Sequence, residues 1–558
     1  MCLLCPIDDP RDNIVEVELD SDQSVAYFKT LIKLEYDDII HAVQARRITL
    51  WKCCIPTDEN LQKALDTVRF DGSDDRLHCL MPGSQLSEIF DAVLPHKTIH
   101  VLAQLPGECE NKAPLASLPD LLKDRQQFNA KLSLRPASSL GLPLNFSKIQ
   151  ETDSQKIVWS RPPGADATIP VTLYHPIFRR FIDDCKSHQP IDEDNKLVRE
   201  MTAAMSKFFS DGDGRAAELR DILQDNGIPP TAHLSSEGCF FCFDGAIESK
   251  NGFTVIFEVK EEIGSAGAEP YARAILHYAN SAWKKSEEHL NFNFPCLIIT
   301  VFGQPSLSSR ATLHQHDVLR PSNMRESLAR HFGALKKAIF SFEQRYDALT
   351  DPSLLKHLDP RFPDPRTYRS LETETTVNFE YLHQIDEQKL LFMGKTDNRE
   401  RICIKFVRRY SREAHEKCAA MGIAPRLRGF EDIGAGWKMV IMDALDEEYE
   451  PFDHSTLPEG AEELLRDRFV ELHQANLVHG DVRGANIMVR KDEMPGLMLV
   501  DYDWAGIVGE VRYPMNVNKV DIWWPDDVSD GLLIKPDHDI AMLEYIFRCS
   551  SRHGRLAH

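Results

Sequence analysis

The chain has 558 residues, 42% hydrophobic and 27% charged, which is an ordinary globular composition and too long for one core at roughly 100–200 residues per domain. No apolar run approaches the ~18 residues of a membrane span, and a formal net charge of −22 excludes a non-specific nucleic-acid coat while leaving room for a local basic groove. The Cys count of 13, without framework spacing, reads as reduced intracellular thiols, and the acids in MCLLCPIDDPRDN stand where a signal peptide needs basic residues. Cys239/Cys242 and Cys53/Cys54 have no partner pair at zinc spacing, so they read as strand cysteines.

Taken in chain order, Cys2–Pro6 and Asn13–Leu19 are short β-type runs. Val25, Phe28, Leu31, Ile32 and Leu34 then recur at helical spacing behind Ser21 and Asp22. Ile48–Ile55 and Thr98–Pro106 close the unit as strands. That order suits a β-grasp, ubiquitin-like domain over 1–106. The wording ITLWKCCIP followed by LSEIFDAVLPHKTIHVLAQLP resembles the N-terminal domain of Crinkler effectors, carried by Leu50, Trp51, Lys52, Pro56, Leu86, Phe90, Ile99, His100, Val101 and Pro106. The LxLFLAK string of the water-mould members is replaced here by YFKTLIKLE.

Residues 107–150 and 347–369 read as linkers, the second interrupted by Pro352, Pro360, Pro363 and Pro365. Between them, 151–346 forms a middle domain, and 370–558 a C-terminal one.

In the middle domain a short apolar strand ends at Asp244, and a turn at Ser249–Gly252 leads to a second strand, Gly252–Val259. Alternation puts Glu258 and Lys260 on one face, with Asp244 across the hairpin. Two carboxylates can hold Mg²⁺ through oxygen ligands, and the ammonium can position a water or offset developing charge. Asp244…Glu258-Val259-Lys260 resembles the PD-(D/E)xK nuclease motif, which implies a restriction-endonuclease-like α/β fold. A helix at Asn195–Phe209 offers Glu200 as a further acid, and one at Ala268–Trp283 offers Tyr271, Arg273 and Tyr278 to a phosphate. Arg310, Arg320, Arg325, Arg330, Lys336 and Lys337 face only Asp317 and Glu326, a candidate basic surface for DNA or a solvated helix face.

Residues 475–506 contain His479-Gly-Asp481, then Asn486, then a strand Leu497–Val500 delivering Asp501. This resembles the catalytic loop and metal-binding segment of the protein-kinase-like superfamily, implying a bilobal fold, with Asp481 as acceptor of the substrate hydroxyl proton and Asn486 and Asp501 as Mg²⁺ ligands. The same resemblance assigns Lys405 to the ATP phosphates, Glu413 or Glu416 as its ion-pair partner, Asp443–Leu445 to adenine, and Asp539 to bracing the loop from below. HGD replaces HRD, Asp501-Tyr502-Asp503 replaces DFG, and no GxGxxG precedes Lys405.

The expected protein is thus a multidomain α+β Crinkler-type effector using Mg²⁺ and ATP, without a membrane partner. It is expected to be intracellular or, by that resemblance, exported unconventionally to act inside a target cell, in its nucleus. DNA hydrolysis at Asp244, Glu258 and Lys260 is the expected chemistry, with the kinase-like domain regulating it or phosphorylating a protein partner. The alternatives are an active kinase beside a non-cleaving DNA- or protein-binding domain, or a non-catalytic scaffold.

Overall fold

The computed structural model describes the strands and several buried positions of the first 104 residues, 137–151, most of 169–302, part of 304–312, and 322–347. Beyond these it describes 359–553 apart from 387–388, 446–447, 453–459, 492–495 and 520–521. The chain groups into two compact units, one of Met1–Ala113, Tyr410–Arg426 and Leu445–His558, the other of Pro114–Arg409 and Leu427–Ala444. Cys239, Cys242, Arg310, Arg320, Asp317, Leu31, Leu34, Ser21 and Asp22 lie outside the described residues.

In the first unit, Cys2–Leu4 and Ile14–Glu16 pair as an antiparallel hairpin. Thr98–Gln104 lies parallel to Cys2–Leu4 and antiparallel to Thr49–Pro56, and His78–Cys79 completes a five-stranded sheet. Val25, Phe28 and Ile32, one helical face, are buried with Ile48, Leu50, Val101 and Ala103. Cys53 is buried and Cys54 exposed, as expected of neighbours on opposite faces of a strand, so the two cannot share a metal.

The same unit holds a helical core in which Arg412–Ala420, Ala461–Gln474 and Pro536–His553 enclose two small antiparallel sheets. Phe469, Leu472, Val478, Leu499, Tyr502, Ile534 and Leu543 are its centre.

The second unit contains two six-stranded sheets. In one, Thr231–His233, Phe243–Ser249 and Gly252–Lys260 run antiparallel, and Leu297–Phe302 then lies parallel to Gly252–Lys260. The helix Pro270–Glu288 makes that parallel crossover possible, because a hairpin cannot join parallel neighbours. Val255, Phe257 and Val259 bury one face against Leu197, Leu219 and Leu328. Ile256 packs on Ala274 of the crossover helix on the other face. With both faces covered, Glu258 is carried into the interior by alternation alone.

The other sheet is antiparallel throughout, running Thr367–Arg369, Thr376–Asp386, Leu391–Thr396, Arg401–Val407, Trp437–Asp443 and Leu427–Gly434 in space. Phe362 and Tyr368, from the stretch expected as a linker, are buried in its core with Phe392 and Ile404. The preceding helices anchor to this sheet, since Trp437 Nε1 donates to Thr172 Oγ1 at 2.9 Å and the Ala435 N–H to Asp183 at 2.8 Å.

Candidate functional site

The strand Leu477–Val478 delivers His479, Gly480 and Asp481 into a loop fixed from within the helical core. Asp539, 1% exposed near the start of its helix, accepts from the backbone N–H groups of His479 and Gly480, each at 2.8 Å, and contacts His473 Nε2 at 3.0 Å. One carboxylate thereby satisfies two donors that the tight turn leaves without a ladder partner. Gly480 has φ +82°, and a Cβ there would stand 2.8 Å from Ile534 Cδ1 and 3.1 Å from the Trp504 carbonyl oxygen. A side chain at this middle position is opposed both by the backbone conformation and by the space around it.

Asn486 is buried and donates through Nδ2 to Asp481, at 2.9 Å to its carbonyl and 2.8 Å to its carboxylate. Its Oδ1 has no hydrogen-bond partner. The Val500 N–H donates to the Asn486 carbonyl at 2.9 Å, so the next residue, Asp501, is held beside the loop with φ +71°. Left-handed backbone is tolerated by Asp but costly, and such positions persist where the surroundings impose them. Burial raises the pKa of Asp481, the neighbouring Asp501 charge adds to the rise, and Arg483, His479 and Asn486 oppose it. Arg483 Nε lies 3.0 Å from the Asp481 carboxylate. The structure therefore brings Asp481, Asn486 and Asp501 together.

Sequence reasoning missed the ring stack beneath them. Tyr502 is fully buried, lies flat on His415 at 4.7 Å and meets His479 edge-on at 5.0 Å. His415 is pinned between the Tyr410 hydroxyl at 2.7 Å and the Pro425 carbonyl at 2.8 Å. A histidine midway along an amphipathic helix was the available signal.

Lys405 belongs to the second unit, where it is 6% exposed on Arg401–Val407, opposite Leu391 and Val440. Glu413 and Glu416 belong to the first unit, on Arg412–Ala420, and Glu416 is already ion-paired with Arg412 at 2.8 Å. Asp443 pairs with Arg428, whose guanidinium also holds Glu400 at 2.6 Å.

In the middle segment the register pairs Gly245 with Phe257, which sets Asp244 beside Glu258. Asp244 Oδ2 accepts from the Val259 N–H at 2.7 Å. Glu258 is fully buried, with Arg273 Nε 3.3 Å and His277 Nε2 3.9 Å from its carboxylate. Arg273 also reaches Asp244 at 4.0 Å. Burial and the Arg273 charge lower the His277 pKa to about 3, so its imidazole is neutral. Lys260 continues the strand opposite Phe302. His277 escaped the sequence reading, although it stands one helical turn after Arg273.

Other expected residues are engaged elsewhere. Glu200 accepts from Asn226 at 2.7 Å, and Tyr278 donates to the Phe294 carbonyl at 2.6 Å. In the basic run, Arg330 pairs with Glu326, Lys336 with Asp194 and Lys337 with Asp184. Among the described residues no group of three or more His, Cys, Asp or Glu side chains is assembled for a metal, and no helix is long and apolar enough to cross a membrane.

Residues 1–104 match the Crinkler effector protein N-terminal domain. The chain carries a Crinkler N-terminal domain. No curated protein matches this chain. Among solved structures it is similar to the Cydia pomonella granulovirus kinase PK-1, with 21% identity and a TM-score of 0.21 over 24% of this chain and 53% of that one. Vaccinia related kinase 3 is similar at 14% identity and a TM-score of 0.26, over 36% of this chain and 72% of the other. The chain thus spans about half the length of the granulovirus kinase, 53%.

Proposed function

We propose that this Crinkler-type effector is an ATP-dependent phosphotransferase, with Asp481, Asn486 and Asp501 at its reaction centre. The observation that carries the reading is the buried Asn486 Oδ1, which has no partner although its own amide and the loop backbone around it are bonded. A buried acceptor left open costs stability unless something completes it. With the Asp501 carboxylate alongside, the oxygen donor set fits a hard divalent cation such as Mg²⁺. When bound, that cation would offset charge on the transferred phosphoryl group. Asp481 takes the proton of the attacking hydroxyl through its carboxylate, which the Asn486 amide and Arg483 aim. A raised pKa brings that carboxylate nearer the range suited to a general base. Lys405 is proposed separately, from its burial on its own strand, as a phosphate-pairing ammonium.

The test is transfer of radiolabel from γ-labelled ATP to the chain itself or to a mixed protein substrate, in Mg²⁺ and in EDTA. Transfer that needs Mg²⁺ and is lost in Asp481→Asn and Asn486→Ala supports the reading. Transfer that persists in both variants, or none by folded wild type, removes it.

A second reading concerns the middle segment. The cross-strand Asp244–Glu258 pair lies on an αβββαβ arrangement, Gly212–Asp225 through Leu297–Phe302, which favours a PD-(D/E)xK-like phosphodiesterase. Asp244 and Glu258 would hold Mg²⁺, with Lys260 aiding the attacking water and DNA as substrate. The five-stranded order of the N-terminal sheet, with its first and last strands parallel at the centre, likewise supports a β-grasp, ubiquitin-like docking module. We place the site of action inside a host cell, in its nucleus. Supercoiled-plasmid nicking with Mg²⁺ or Mn²⁺, lost in Glu258→Ala, is the corresponding test. An effect of ATP or of Asp481→Ala on that nicking would show that the two activities are coupled.

A further inference from the structure

Sharing no residue with either site, the second unit has a cleft lined by Tyr174, His175, Asn291, Arg345, Asp364 and Arg366, among others. His175 is 5% exposed and caps the helix Pro176–Ser187, its Nδ1 accepting from the Ile177 N–H at 3.2 Å. That bond fixes the tautomer. A neutral ring whose Nδ1 is an acceptor carries its proton on Nε2, so Nε2–H is a donor. Nε2 is buried and has no partner. Burial and the charges of Arg345, Arg179 and Arg180 lower the His175 pKa to about 3, which keeps the ring neutral.

A second buried donor points the same way. Arg345 Nε is buried without a hydrogen-bond partner, and its guanidinium lies over the Phe292 ring at 5.6 Å. Arg366, which also lines the cleft, donates to the Pro363 and Pro365 carbonyls and lies over Tyr381 at 4.5 Å. The two carboxylates of the cleft are already engaged, Asp364 by Arg179 at 3.4 Å and Asp359 by Arg361 at 2.6 Å. Four guanidiniums therefore face two carboxylates, and neither Arg345 nor Arg366 has a carboxylate within ion-pair distance among the described residues. Asp364 is shared electrostatically among Arg179, Arg345 and Arg366, so the cleft keeps an excess of two positive charges and two open donors in a chain whose net charge is −22. Buried charges of this kind are normally paired.

We propose that this cleft binds a phosphomonoester dianion, with Arg345, Arg366 and His175 Nε2 as its donors. A dianion supplies both missing charges and enough acceptor oxygens for the open N–H groups, and guanidinium forks suit phosphate oxygens. Asn291 and Asn293, also in the lining, add amide donors. Tyr174, Phe292 and Phe362 form apolar walls for whatever the phosphate is attached to. The site is independent of the phosphotransferase and nuclease readings and uses none of their residues.

The experiment is calorimetric titration of the full chain, in EDTA, with inorganic phosphate, ribose 5-phosphate and AMP, against sodium chloride of equal ionic strength. Saturable binding is expected for all three phosphates and not for chloride. Equal affinities assign recognition to the phosphate group alone, and tighter AMP binding adds the ring walls, so both support the site. Arg345→Gln should weaken binding tenfold or more, with Arg345→Lys intermediate. His175→Gln should weaken it several-fold, and serves if Arg345→Gln is misfolded by circular dichroism. Asp501→Asn should leave it unchanged. Binding no tighter than chloride, unaffected by both the Arg345→Gln and His175→Gln changes, or lost in Asp501→Asn, would overturn the assignment.

Discussion

Replacing Gly480 by alanine tests whether the turn before Asp481 is dictated by geometry. The backbone there is left-handed, at φ +82°, a conformation costing roughly 1–2 kcal/mol for a residue with a Cβ. The new methyl would stand 2.8 Å from Ile534 Cδ1 and 3.1 Å from the Trp504 carbonyl oxygen. Ile534 is itself fully buried and the carbonyl is backbone, so neither can yield freely, and overpacking of this kind costs roughly 1–3 kcal/mol. The two effects together destabilise the helical core by about 2–5 kcal/mol. At ~2–4 °C per kcal/mol for a domain of this class, the expected fall in Tm is on the order of 5–15 °C. Tryptophan fluorescence is the suitable probe, because Trp504 stacks on Trp524 at 5.6 Å within the same core. Gly480→Arg, which puts a larger side chain in the same space, should fare no better. A Tm for Gly480→Ala within about 1 °C of wild type would refute the reasoning.

Three further outcomes are expected. Asp539→Asn leaves one acceptor for two backbone donors and removes the charge from both bonds; it should cost roughly 1.5–3 kcal/mol in denaturant unfolding and lower phosphate transfer without changing Mg²⁺ dependence. Glu258→Gln should lose plasmid nicking and also destabilise the fold, because Arg273 and His277 would face a neutral amide in a buried site; at roughly 3–5 kcal/mol for a broken buried pair, an unchanged Tm would contradict the buried ion pair. His277 has a folded pKa of about 3 against an ordinary 6.5, so the unfolded chain binds the extra proton between those values. Its contribution is complete above about pH 6.5 and is lost as the pH falls toward 3. His277→Gln should therefore flatten the acid limb of the stability profile by up to about 1.4 kcal/mol per pH unit, and an unaltered slope would show that the imidazole is not held neutral.

Much of the proposed reaction centre was legible because it is local. Asp481 and Asn486 are separated by one tight loop, and Asp501 ends the strand that pairs back on it, with Ile487 opposite Leu499. Short loops and hairpins bring near neighbours in sequence together whatever the rest of the chain does. The same holds for Asp244 and Glu258, joined by a two-strand hairpin. The brace from Asp539 was readable through the kinase-like resemblance of His538-Asp539-Ile-Ala, and Asp539 does accept from the His479 and Gly480 N–H groups.

What escaped is what depends on which surfaces meet. Alternation places Glu258 on a face, but only the crossover helix packed there decides that Arg273 and His277 enclose it. Tyr502 is legible as a departure from DFG, whereas its stacking on His415 needs the helix and the loop in one core. Phe362 and Tyr368 lie among prolines that suggest a spacer, yet they fill a sheet core. The basic run reads as a cationic surface until Asp184 and Asp194, from helices more than a hundred residues away, neutralise Lys337 and Lys336.

By itself, then, the sequence determined the candidate groups and their local spacing: the Crinkler N-terminal domain, the HGD loop with Asn486 and Asp501, and the Asp244–Glu258 hairpin. Backbone period and tight-turn chemistry act over a few residues and leave a written trace. Only the tertiary structure decided the electrostatic surroundings of those groups. Burial, counter-charge and open donors such as His175 Nε2 are properties of packed surfaces, and packing is settled by contacts far apart in the chain.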